Sequence, residues 1–242
     1  MPKGMDEIEM DAAAEPVQRI YRDVQYTLRF GDVPWLFRVL GAHESFLDAA
    51  WKAIKPIVTE AFEHSADQIR AQAVALISES LGGADLSAKL QGESLNSEAL
   101  DLFTETALAY HFVTTKLTLI SHALSDALAD RPASVKSIVV MPTGRGVPHG
   151  MPAIERVAVN SDSSVLSEIK KARSLDFVPD YARALVQWPD GLSALWDELG
   201  SASDDAKYSK IMEGLSELTD DAVAQLRRRM DLNKAELEAL GI

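Results

Sequence analysis

Asp180 is the side chain in this sequence best placed to activate a water molecule. It follows Val178-Pro179, and 145 positions earlier Val33-Pro34 precedes Trp35. A carboxylate within hydrogen-bond reach polarises water for attack on carbon. The plainer reading is a first-turn Asp stabilised by the helix dipole. Both stay open. The two Val-Pro steps each start a helix. If those N-termini meet, their free amides make a receptor for a carboxylate; taken singly, each is an ordinary Pro in a helix's first turn.

Other residues extend this reading. Trp35 and Phe37 either wall an apolar pocket or fill a core. Thr114 either holds a water or bonds its own helix four residues back. His111 and His122 share the same apolar segment. Arg38 and Arg183 recur at equivalent positions, as carboxylate forks or as partners for acidic side chains. No His/Asp/Glu spacing suits a metal, and no organic-cofactor fingerprint is present, so neither is expected. Zero cysteines exclude thiolate chemistry.

The elements that must position these residues come in two related sets. Val33, Pro34, Arg38, Leu40, Leu47 and Trp51 return as Val178, Pro179, Arg183, Leu185, Leu192 and Trp196, and Leu95-Asn96 and Leu100 return as Leu232-Asn233 and Leu237. A repeat of this length predicts two similar halves around a shared cleft. Apolar spacing predicts helices over 17–30, 34–41, 44–80 with a break at Pro56, 86–91 and 98–129. Further helices are expected at 165–175, 179–187, 189–199, 204–217 and 220–230, then a short stub. Segment 98–129, apolar nearly all round, reads as a central buried helix. Residues 1–15 read as a loose acidic arm. The fold is therefore expected to be all-α, two tandem helical repeats forming a pseudo-dimer. The units are 16–130, a Pro/Gly-rich linker at 131–161 with a short extended run at 138–140, and a shortened second repeat at 162–242.

Composition narrows the partners. A net charge of −13 argues against nucleic acid, which needs a basic face. No run of about 18 apolar residues is present, so no membrane span is expected. The acidic start does not read as a leader, and the cysteine-free chain fits the cytoplasm. The second half lacks a counterpart of segment 98–129, which predicts an apolar seam covered by another subunit, hence a homo-oligomer.

Tyr21-Arg22-Asp23-Val24, Thr27-Leu28-Arg29, Arg38-Val39-Leu40 and Ala50-Trp51 resemble the opening of the group I DL-2-haloacid dehalogenases, also called halocarboxylic acid dehalogenases. Gly146-Val147-Pro148-His149-Gly150-Met151 resembles that family's linker crossing, and Gln187-Trp188-Pro189 its aromatic-Pro step. The resemblance implies an all-α pseudo-dimer that displaces halide from C2 of a short haloacid. An Asp-activated water attacks directly, without an ester intermediate, metal or organic cofactor. It implies Asp180 as the catalytic Asp with a one-residue slip; ungapped counting sets Tyr181 there, which makes Tyr181 a substrate contact. It sets Thr114 where the family has a water-holding Asn, Asp32 on one aromatic wall position and Trp35 on the next. The expected function is a dehalogenase-like hydrolase acting on a short 2-haloalkanoic acid. The alternative is a catalytically inactive helical binding or assembly relative.

Overall fold

The computed structural model describes residues 6–81, 90, 95–129, 131, 154–157, 163–172, 174–202, 205–227, 230 and 232–239. Among them every regular element is helical: α1 Glu15–Leu28, α2 Trp35–Leu40, α3 Glu44–Ile54, α4 Glu60–Leu81, α5 Ser97–Leu128, α6 Ser164–Ala172, α7 Asp180–Leu185, α8 Pro189–Ala202, α9 Asp205–Arg227 and α10 Lys234–Ala239. The all-α expectation holds. The expected helix at 86–91, except Leu90, the extended run at 138–140 and most of the 131–161 linker lie outside the described residues.

The apolar spacing of α1 buries Val17, Tyr21, Val24 and Leu28. Pro56 divides the expected 44–80 helix, because a proline has no N–H to continue the ladder. A 3-10 turn at Lys55–Ile57 separates α3 from α4 there. Pro34 and Pro179 each stand one step outside their helix, extended at φ/ψ −61°/148° and −59°/142°. Both short helices α2 and α7 thus begin at the residue after proline. The expected break near residue 218 is absent. α9 runs unbroken over it, and Thr219 satisfies its hydroxyl within the helix on Leu215 O at 2.8 Å.

Helix α5 connects the interior. Its 32 residues span about 48 Å. Asn96 caps it, accepting from Ala99 N–H at 2.9 Å. Near its start, Phe103 packs with Leu166, Ile169, Leu185 and Leu192. Tyr110 and Val113 then pack with Phe30 and Ala184. Its far end gives Leu119, Ile120, Ala123, Leu124 and Ala127 to the large core formed with α1, α3 and α4. Lys116, almost wholly buried, donates from Nζ to Leu28 O at 3.0 Å and to Glu63 at 2.7 Å, tying α5 to α1 and α4. Helix α5 is not buried all round, however: Leu102 and Leu108 are 48% and 50% exposed. The expected stub after Asn233 is the six-residue α10, and its Leu237 enters the same core as α1, α3 and α4, as do Leu226, Met230 and Leu232 before it.

Candidate functional site

The N-terminal turns of α2 and α7 meet in the interior. Asp180, the first residue of α7, accepts at Oδ2 from the backbone N–H of Trp35, the first residue of α2, at 2.9 Å. The two N-termini meet as the receptor reading requires, but the Trp35 amide of α2 is taken by the chain's own Asp180. Arg38 holds the same carboxylate as a fork, Nη2 to Oδ1 at 2.7 Å and Nη1 to Oδ2 at 3.2 Å. Arg183 Nη1 stands 3.6 Å from Oδ1, and Arg156 Nη1 4.0 Å from it.

These groups belong to one buried ionic cluster. Arg38 is fully buried, and its Nε and Nη2 donate to Glu7 at 3.0 and 2.8 Å. Arg183 donates from Nη1 to the same Glu7 oxygen at 3.0 Å, and from Nε to Val157 O at 3.0 Å. Arg156 is paired with Asp32 through Nε and Nη2 and with Glu9 at 3.0 Å. Asp32 also accepts from Val33 N–H at 2.7 Å. Three guanidiniums thus face four carboxylates. A charge taken out of water must be paired, and here each is.

The electrostatics follow from that pairing. Burial alone would lower the Arg38 and Arg156 guanidiniums, but Asp180 beside the first and Asp32 beside the second hold both above their ordinary range. Burial would raise the Glu9 carboxyl, and its bonds to Arg156, with Arg38 and Arg183 nearby, pull it below the usual value instead. Asp32 goes the other way: burial lifts it despite Arg156, and the charge of Asp180 adds to the rise.

Glu7 and Glu9 lie in the segment expected to be a loose acidic arm. It is anchored instead. Ile8 N–H donates to Arg38 O at 3.1 Å, and Tyr21 Oη donates to Ile8 O at 3.0 Å. Burial pushes the Tyr21 phenol up to about 12, so it stays a donor. The physical reason is charge: α2 and α7 supply one carboxylate, Asp180, to two buried arginines, which need further counter-ions. The second half repeats the contact. Val157 N–H donates to Arg183 O, also at 3.1 Å. Glu7, Glu9 and Arg156 are the site members that sequence reasoning missed. The recurrence of Arg38 as Arg183 was the available signal, since two buried arginines imply carboxylates that must come from somewhere.

Of the residues singled out from sequence, Asp180 and Trp35 come together. Trp35 stacks on Phe177 with centroids 4.3 Å apart and planes 8° from parallel. Its indole nitrogen is buried without a hydrogen-bond partner among the described residues. Phe37 points into the core, edge-on to Trp51 at 5.5 Å. Thr114 donates to Tyr110 O at 2.7 Å within its own helix, and lines a different cavity of about 710 Å³ between α4, α5 and α9. His111 and His122 line that cavity too. Burial, with Arg70 close by, holds the His111 imidazole below its ordinary value. Tyr181 is 37% exposed. On α5 it is Tyr110, one turn before Thr114, that packs with Ala184 of α7, next to Arg183; burial, and after it the charges of Asp180 and Asp32, raise its phenol.

Residues 31–175 match the family model described as halocarboxylic acid dehydrogenase DehI. That is more than half of the chain, and it includes both Trp35 and Arg38. The chain belongs to this family. A curated relative, the configuration-inverting 2-haloacid dehalogenase of Pseudomonas sp. (strain 113), is 36% identical over 76 residues. Those residues are 30% of this chain and 24% of that relative, so the match spans about a quarter of its length. Solved structures extend the likeness in fold. A D-2-haloacid dehalogenase mutant in complex with D-2-CPA superposes with a TM-score of 0.87 at 17% identity, covering 98% of this chain and 84% of that one. The D-2-haloacid dehalogenase complex with L-LA gives 0.73 at 17% identity, covering 98% and 87%. The DehI-family chain is thus a divergent member with the helical architecture of these enzymes. Among its described residues no helix is long and apolar enough to cross a membrane.

Proposed function

We propose that this chain hydrolyses short 2-haloalkanoic acids, with Asp180 as general base. Water between Asp180 and the substrate attacks C2. The new C–O bond forms as the carbon–halogen bond breaks, halide leaves with the bonding pair, and the water proton passes to Asp180. Attack from the face opposite the halogen inverts C2. Trp35 and Phe177 would supply the apolar wall. Tyr181 and Phe37, by their placement, would act at the rim and from the core behind that wall.

The observation that carries this reading is the position of Asp180. Its side chain is 10% exposed, at the junction of α2 and α7, and set beside an aromatic stack. A carboxylate offers about four acceptor sites. The bonds to Trp35 and Arg38 use two on Oδ2 and one on Oδ1; the fourth, on Oδ1, would take the water, with Arg183 and Arg156 standing 3.6 and 4.0 Å from that oxygen. Dehalogenation by the relatives supports the same reaction here. The recurrence of the Arg–main-chain contacts in both halves supports the pseudo-dimer, with halves 16–130 and 162–242 around the linker at 131–161.

A second reading is favoured by the same contacts. Arg38 and the Trp35 amide already engage both oxygens of Asp180, as they would in a structural tie, and Thr114 has turned its hydroxyl into its own helix. A catalytically inactive helical binding or assembly relative would look like this. Halide release from D- and L-2-chloropropionate decides. The hydrolase reading expects release from wild type, a loss of at least about a hundredfold in Asp180→Asn, and lactate of inverted configuration. No release from wild type, or full release from Asp180→Asn, overturns it. In a single turnover in ¹⁸O water, label should appear in lactate and not in the protein.

A further inference from the structure

The arginines at the Asp180 centre are all engaged. Arg38 is held by Asp180 and Glu7, Arg156 by Asp32 and Glu9, and Arg183 by Glu7 and Val157 O. Two donors near that centre have no partner among the described residues, the Trp35 indole nitrogen and the Tyr110 hydroxyl, and of the two only the hydroxyl comes from α5. Tyr110 is 7% exposed, and its hydroxyl, buried, has no hydrogen-bond partner among the described residues. A buried tyrosine hydroxyl ordinarily finds one. The ring cannot swing away easily: it stands edge-on to Phe30 at 5.2 Å and 72°, packed with Val113 and Ala184. Burial and the negative charges of Asp180 and Asp32 keep the phenol protonated far above neutral pH. It is therefore a neutral donor, its ring held in place by packing, near a centre whose guanidiniums are already taken by carboxylates. A neutral donor can accept an anionic guest there without displacing an existing ion pair.

We infer that Tyr110 is a substrate-binding residue whose hydroxyl donates to the carboxylate of a short carboxylic acid bound at the Asp180 centre. This rests on the reading that the centre takes such an acid. It adds a contact from α5 that Thr114, one turn further along the helix and bonded to Tyr110 O, does not make.

Tyr110→Phe removes the hydroxyl and keeps the ring. Because the lost group has no partner among the described residues, the melting temperature of the variant should be unchanged or higher. One hydrogen bond to an anion corresponds to about tenfold in affinity. Isothermal titration with propionate, which carries no leaving group, should show binding to wild type and about tenfold weaker binding to Tyr110→Phe. With 2-chloropropionate the variant should raise KM by a similar factor and leave kcat nearly unchanged. Equal propionate affinity in the two proteins overturns the assignment, as does a wild type that does not bind propionate. The outcome is separable from that of the base reading. Propionate binding that depends on Tyr110, without halide release, removes Asp180 as base and keeps Tyr110. Halide release that depends on Asp180, with propionate binding indifferent to Tyr110, does the reverse.

Discussion

Glu9 shows how position, not residue type, sets the behaviour of a single acid here. Its carboxyl is held below the usual range because Arg156 bonds it and Arg38 and Arg183 lie near. The stability it contributes is therefore present above its unfolded value of about 4.3 and is lost as pH falls through the lower folded one. Glu9→Gln should lower the melting temperature at neutral pH, and the gap from wild type should close as pH falls into the acid range, which flattens the acid limb of the profile. An acid limb identical to wild type would show that the Arg156 contact does not couple to folding. Asp180 was legible from the Val-Pro repeat as a residue of interest, but not what holds it. Its partners Trp35 and Arg38 lie 145 and 142 positions away. Glu7 was illegible for the opposite reason: an acidic N-terminal stretch looks solvated until two buried arginines require it.

Among the elements, α2 and its surroundings depend on a close approach. Gly41 follows α2, and a Cβ there would meet Tyr21 Oη at 1.8 Å. That hydroxyl holds Ile8 and with it the segment carrying Glu7 and Glu9. Gly41→Ala should cost about 1–3 kcal/mol by overpacking, measured by urea unfolding. Adding Tyr21→Phe, which removes the obstructing oxygen, should recover part of the loss, a coupling that a double-mutant cycle reads directly. Additive effects would place the strain elsewhere. The helix pattern itself was legible wherever apolar spacing was strong, as in α1, and where proline forces an end, as at Pro56. The expected break between 217 and 220 is absent because Thr219 bonds within the helix, to Leu215 O, and lets it continue.

In the whole molecule the elements before and after residue 131 interlock. Phe103, near the start of α5, packs with Leu166, Ile169, Leu185 and Leu192. Ala222, Val223 and Leu226 of α9 and Leu237 of α10 enter the core of α1, α3 and α4. Arg38 is the ionic counterpart of that exchange, joining Glu7 near the N-terminus to Asp180 in α7. Arg38→Leu would leave two buried carboxylates short of a partner and should destabilise by about 3–5 kcal/mol, read as a lower urea midpoint. A loss below about 1 kcal/mol would mean that the interlocked cores hold the halves without it.

The chain alone determined the helical class, the duplicated Val-Pro and Arg positions and the family likeness, because apolar period and proline geometry act over a few neighbours and survive in the sequence as pattern. Only the tertiary structure decided which side chains share the centre. It brought Glu7, Asp32, Arg156 and Tyr110 to Asp180 and sent Thr114 to another cavity. The physical reason is that burial and charge pairing are satisfied by whichever residues the packing brings together, and no local spacing encodes that choice.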